Sequence, residues 1–382
     1  MIDHGTTSFE DETRLSRDPR LAAGNTGVVD GERRRGRGAL SNRAGRYEAA
    51  ERVAVDDGWD SLATLDAFKT EVRIEPARSI ISTNDSPDIS FDQSINPYRG
   101  CEHGCIYCYA RPGHAYLGHS PGLDFETILY AKTNAAELLE RELANPRYVP
   151  KTIALGAVTD PYQPIERRYR ISRDVLQVLA RTRHPVGIVT KSANVVADTD
   201  ILADLARDDL AKVAISITTL DPHLARRMEP RAATPTRRLE AIRALSTAGI
   251  ATQVMVAPII PGLNDHEIEG ILAAAREAGA NDAGYVMLRL PLELKDVFRE
   301  WLGAEVPDRS GRVLSLLQSM HGGRDYTAEF GVRGKGTGPY AVQIAHRFRL
   351  ALKRLGMNER SLKLRTDLFR RPTLPGQQLS LL

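Results

Sequence analysis

The chain has 382 residues, a formal net charge of +3, 42% hydrophobic and 26% charged side chains. That length exceeds a single small domain, the composition is that of a soluble globular protein, and the net charge alone gives no argument for nucleic acid. No run approaches the roughly 18–20 uninterrupted apolar residues that a membrane helix needs. The N-terminus lacks the apolar core of a signal peptide, so a reducing cytoplasm is the expected compartment.

In chain order, residues 1–45 are rich in Gly, Arg, Asp and Ser and have no sustained apolar period. They are expected to form a disordered basic segment, with Arg33, Arg34, Arg35, Arg37 and Arg43 clustered near its end and Arg46 just beyond it. Residues 46–90 are poorly patterned and are expected to pack on the core as an extension. From about residue 91 a regular alternation begins. A first strand near Ile95 is followed by apolar β-type runs at Lys151–Val158, Val186–Ser192, Lys212–Thr219, Ala251–Pro258 and Ala283–Leu290. Helical periods separate them, with Asp198 and Thr234 as N-caps and Gly249 as a stop. This alternation predicts an α/β fold: a partial (β/α)6 TIM-type barrel over residues 91–305 with N- and C-terminal extensions. Residues 306–382 are expected to be a basic helical C-terminal region with a free tail. In its helix, Val342, Ile344, Phe348, Leu350 and Leu355 are available for burial. Functional residues of such folds sit on loops after the C-terminal ends of the strands.

The first of these loops reads "NPYRGCEHGCIYCYARP" and holds Cys101, Cys105 and Cys108, the only cysteines in the chain. Three thiols within eight residues cannot pair completely and give poor disulfide geometry. They are suited instead to hold one compact metal group as thiolates. An iron–sulfur cluster takes cysteine ligands, usually four, so three would leave one iron open. The alternative is a zinc site completed by His103, His114 or His119, a reading weakened by the lack of a second ligand pair.

The C-x3-C-x2-C spacing, with the aromatic Tyr107 before the last cysteine, resembles the radical S-adenosylmethionine (SAM) superfamily. The flanking residues are similar to its spore photoproduct lyase branch, over about residues 90–290. The resemblance implies a [4Fe-4S] cluster on Cys101, Cys105 and Cys108 with SAM on the open iron. It also implies an external electron donor such as flavodoxin or ferredoxin, and reductive cleavage to a 5′-deoxyadenosyl radical. By the same resemblance, Lys191 in "VTKS" and Ser216 in "AISIT" occupy the places of SAM-contacting residues. Thr159 and Asp160 in "GAVTDPYQPIE" stand where the superfamily often has Gly-Gly-Glu. "VAPIIPGLND" resembles the stretch that meets adenine, and Arg289 ends the sixth strand at the same mouth. Spore photoproduct lyase uses a further cysteine as hydrogen-atom donor, and this chain has none: either a tyrosine such as Tyr98, Tyr109 or Tyr285 substitutes, or the reaction is different.

Residues 341–371 hold nine Lys/Arg against two acids, which suits contact with nucleic-acid phosphates. The leading expectation is thus a radical SAM enzyme acting on a nucleic-acid base or DNA lesion. The alternatives are a radical enzyme with a protein or peptide substrate, and a zinc-stabilised nucleic-acid-binding protein without catalysis. Gln378, Leu379, Leu381 and Leu382 in the terminal "PGQQLSLL" resemble a sliding-clamp binding peptide.

Overall fold

Residues 28–48, 66–359 and 362–374 are described by the computed structural model. Its strands are β1 (Glu71–Ile74), β2 (Ile81–Thr83), β3 (Gln93–Ile95), β4 (Tyr98–Arg99), β5 (Ile128–Ala131), β6 (Ile153–Leu155), β7 (Val186–Thr190), β8 (Ala211–Ser216), β9 (Ala251–Ile259) and β10 (Asp282–Met287). The larger of two sheets has the order β10-β9-β8-β7-β6-β3-β2. Six of these strands, β3 and β6 to β10, pair in parallel, and β2 closes one edge antiparallel to β3. Parallel neighbours that follow chain order, with β10 and β2 at open edges, make an incomplete (β/α)6 barrel, as the sequence predicts. β3 and β6 are buried along their whole length; β6 reads accordingly as a continuous apolar run, whereas β3 carries Gln93 and Ser94.

The α-helices of seven residues or more are α1 (Ala135–Ala144), α2 (Ile171–Arg181), α3 (Thr199–Ala206), α4 (Pro222–Met228), α5 (Pro235–Thr247), α6 (Ile268–Glu277), α7 (Leu294–Glu305), α8 (Pro307–Met320) and α9 (Gly338–Leu355). The Thr234 hydroxyl accepts the Arg237 N–H at the start of α5. Asp198, expected to cap α3, makes no cap bond. Its carboxylate is taken by the Tyr162 hydroxyl at 3.0 Å and Arg173 at 2.6 Å, both stronger claims on a buried charge.

A second sheet, β1-β5-β4, braces the loop between β4 and β5 that carries the cysteines. Residues 28–48 lie against that loop with Ala39 and Leu40 buried, so the disordered segment expected through residue 45 does not include this part. Its Arg46 bonds Glu293 at 2.7 Å and lies over Tyr47 and Tyr116, each 4.9 Å from the ring centroid.

At the other end, α9 buries Ala341, Ile344, Phe348 and Ala351, whereas Val342 and Leu350 are exposed. The helical phase, not apolar character, selected the stripe. Residues 362–374 are docked at the base of the barrel. There the Arg370 N–H donates to Thr182 O at 2.7 Å, and Phe369 packs on Tyr148 and His184. The clamp-type peptide at Gln378–Leu382 falls outside the described residues. Among those residues no helix is long and apolar enough to cross a membrane.

Candidate active site

The chain leaves β4 and turns on Gly100, at φ +71°, into the cysteine loop; a side chain there would strike Phe125 O and Leu129. The loop's carbonyls are gathered by one fully buried guanidinium. Arg111 Nε donates to Cys105 O at 2.9 Å, Nη2 to Gly104 O at 3.2 Å, and Nη1 to Pro121 O and Gly122 O. Its charge is met by buried Glu126 at 2.5 Å. Glu126 also accepts the N–H groups of Gly38 and Ala39, each at 2.9 Å, which ties residues 28–48 to the loop.

The opposite side is held by the end of α4. Ile106 N donates to Met228 O at 2.9 Å, and Arg231 N to His103 O at 3.2 Å. The Tyr107 hydroxyl bonds Glu229 and lies 3.0 Å from the Thr218 hydroxyl. Burial opposes a charge on Glu229, but Arg238 and then Lys191 outweigh it and bring its pKa to about 2. The aromatic before the last cysteine is therefore fixed by a buried ion pair, Glu229–Arg238.

All three thiols are free; Cys101 and Cys105 are buried and Cys108 partly so. Burial raises each thiol above its ordinary value, assisted by Asp160 at Cys101 and by Glu229 at Cys105. Three thiols that resist ionising alone, on one loop, fit a group that brings its own positive charge.

They open into a cavity of about 310 Å³. All six parallel strands contribute to its wall at or just beyond their C-terminal ends. Cys101, Cys105 and Cys108 lie beyond β3, on the loop after the short β4, Asp160 follows β6, Lys191 follows β7, Ser216 ends β8, Ala257 and Pro258 lie late in β9, and Arg289 follows β10. The Asp160 carboxylate accepts the Lys191 N–H and the Thr190 hydroxyl, both at 2.7 Å. Burial again works against the charge; beside it, the His103 ring at 3.3 Å and these donors hold Asp160 down to about 2. Lys191 Nζ reaches Ala257 O at 3.4 Å and lies 5.6 Å from the Tyr107 ring centroid. Arg289 covers the Tyr109 ring at 5.0 Å, and its buried Nε has no hydrogen-bond partner. His103 Nδ1 is turned to the Asp160 carboxylate at 3.3 Å. Arg289 thus holds a buried nitrogen without a hydrogen-bond partner at the cavity wall.

Thr159 departs from expectation. Its hydroxyl is turned away to Tyr98 O at 2.9 Å, and it is absent from the cavity wall. Tyr98 is buried on Glu166 and Tyr285 is packed on Phe348, which leaves Tyr109 as the candidate tyrosine at the cavity. The zinc alternative lacks its fourth ligand. His114 Nε2 lies 3.0 Å from Ile128 O, His119 Nε2 lies 2.7 Å from the Tyr130 hydroxyl, and His103 faces Asp160. Among the described residues no group of three or more His, Cys, Asp or Glu is disposed to hold a single metal ion.

Residues 95–275 match the Radical SAM superfamily. The chain belongs to that superfamily. An uncharacterised protein of Mycobacterium tuberculosis is 37% identical over 232 residues, 60% of this chain and 68% of that one. Spore photoproduct lyase complexed with dinucleoside spore photoproduct superposes with a TM-score of 0.56 at 17% identity, covering 75% of this chain and 80% of that one. A spore photoproduct lyase mutant with bound AdoMet and the same dinucleoside gives 0.56 at 16% identity, with the same coverage. At these identities the likeness speaks for the fold. The chain is thus an enzyme of radical SAM type, and the family implies an iron–sulfur cluster and SAM as its cofactors.

The sequence carries no signal for Arg111 with Glu126, fifteen positions apart, or for Ile89 and Phe91, which line the cavity from the stretch just before β3.

Proposed function

We propose that Cys101, Cys105 and Cys108 hold a [4Fe-4S] cluster, that SAM binds in the adjoining cavity, and that the substrate is a base or lesion in nucleic acid. The observation that carries this reading is the convergence of the three thiols with Lys191, Ser216, Asp160 and Arg289 on one cavity. When bound, the cluster and SAM supply a hydrogen-abstracting radical. The chain's own share is to position and to shield. Lys191 offers a cation to a carboxylate, and Ser216 a hydroxyl to a carboxylate or ribose. Asp160 offers an anion to an ammonium group. Ile89, Phe91, Met255, Val286 and Met287 supply an apolar wall that keeps water from a reactive site.

The nucleic-acid part rests on the cavity's surroundings and on the shared fold with spore photoproduct lyase. Arg289 lies over Tyr109, and Arg333 lies 4.5 Å from the Phe330 ring centroid. The Phe330 loop borders the cavity, because Met287 N donates to Gly334 O at 2.9 Å and Arg333 pairs with Asp88 beside Ile89. Exposed aromatic faces backed by guanidinium groups suit unstacked bases. Tyr109 takes the hydrogen-donor role for which the chain has no spare cysteine.

The test is anaerobic turnover with dithionite, measuring 5′-deoxyadenosine with and without ultraviolet-irradiated DNA. Damaged DNA is expected to raise the yield, and Arg289→Ala to reduce that increment. A protein that cleaves SAM but is indifferent to DNA would remove the substrate assignment; one that never cleaves SAM would remove the whole reading.

A further inference from the structure

A second hollow, of about 450 Å³, lies behind the cysteine loop and shares no lining residue with the cavity. Four arginines line it, Arg34, Arg37, Arg226 and Arg227, against the single carboxylate of Glu305. Arg226 is exposed and makes no ion pair among the described residues. Arg227 spends one nitrogen on the backbone oxygen of Glu305, Arg34 donates Nε to Val29 O at 3.1 Å, and Arg37 is committed to Glu126 O and Phe68 O. The wall has two parts, and both touch the cysteine loop. Gly38 packs so closely on Gly104 O that a Cβ would overlap it. On the other part, Met228 O, next to Arg227, receives the N–H of Ile106. The hollow's wall therefore meets the backbone of Gly104 and Ile106, the two neighbours of Cys105.

Resting on the radical SAM reading, we propose that this hollow is the docking site of an acidic electron-carrier protein of the flavodoxin or ferredoxin type. A concentration of guanidinium charge with little compensation repels itself and attracts a carboxylate-bearing face. Small, salt-sensitive contacts are typical of electron-transfer encounters. In the encounter one electron leaves the carrier and enters the cluster; the carrier is oxidised by one electron, the cluster is reduced by one, and no bond forms or breaks. The position favours a carrier over a nucleic-acid strand. A strand must reach the cavity, which opens elsewhere, whereas an electron need only cross the Gly38–Gly104 contact.

The experiment is calorimetric titration of the reconstituted protein with a purified flavodoxin. Raising sodium chloride from about 50 to about 300 mM should weaken binding markedly. Arg226→Glu with Arg34→Glu should weaken it about tenfold or more, with unchanged thermal unfolding; Arg226→Lys should restore it. Dithionite-driven SAM cleavage, which needs no docking, should be unaffected, so failure of that reaction would count against the function above and not against this surface. Flavodoxin affinity that is absent, salt-independent or equal in the charge-reversed variant would overturn the proposal. So would a loss confined to binding of a single-stranded oligonucleotide.

Discussion

Arg111 permits a test of the cysteine loop that touches no thiol. It is buried with Glu126, and removing one member of such a pair leaves the other charged and unpaired, a cost of about 3–5 kcal/mol. Arg111→Met is expected to lower the unfolding midpoint and to reduce iron uptake with all three cysteines present. Arg111→Lys should also fail, because an ammonium cannot serve four carbonyls in a plane. Full iron incorporation in either variant would show that the loop holds its shape without the clasp. Glu166 gives a pH prediction. Burial raises it from an ordinary 4.5 to about 7, against the Tyr98 hydroxyl and the N–H groups of Ser172 and Arg173. Between those values the unfolded chain releases the proton and the folded chain keeps it, so stability falls as pH rises through that window and levels off above it. The full penalty is about 3 kcal/mol. Glu166→Gln keeps an oxygen for the Ser172 and Arg173 donors and an amide for Tyr98. The variant should gain stability relative to wild type as pH rises toward 7; denaturant melts giving a pH-independent difference would contradict this.

Among elements, α9 tests whether its helical phase is assigned correctly. Phe348 is buried and Val342 is 66% exposed, although both are apolar. Phe348→Ala should cost about 3–5 kcal/mol, and Val342→Ala less than about 0.5 kcal/mol, by urea denaturation; similar costs would mean the stripe is misplaced. The segment 28–48 is tested by Gly38→Ala. The new methyl would overlap Gly104 O, so iron binding should suffer even though residue 38 lies far in sequence from any cysteine.

Across the molecule, the barrel was legible because each βα unit carries its own local signals: an apolar strand, a cap such as Thr234, and a stop such as Gly249. The site was legible in part for the same reason. Cysteine spacing is local, and Lys191, Ser216, Asp160 and Arg289 all lie at strand ends, where the fold directs them to one mouth. Thr159 was misread because a side chain's direction after Gly156, at φ +92°, depends on the turn rather than on its neighbours in sequence. Residues 28–45 read as disordered because their order comes from Glu126 and the cysteine loop, partners that no local period announces. The basic end of the chain misled in another way. Arg347 is paired bidentately with Glu269, and Arg371 caps backbone carbonyls at the barrel base, so charge available in sequence is partly spent in the fold.

The central claim is that Cys101, Cys105 and Cys108 present a cluster to SAM in the shared cavity, and electron paramagnetic resonance of the anaerobically reconstituted, dithionite-reduced protein tests it most directly. The account predicts about four irons per chain, a reduced-cluster signal that changes when SAM is added, and loss of both in Cys101→Ala, Cys105→Ala and Cys108→Ala. A chain that takes up no iron, or whose signal is indifferent to SAM, would contradict it.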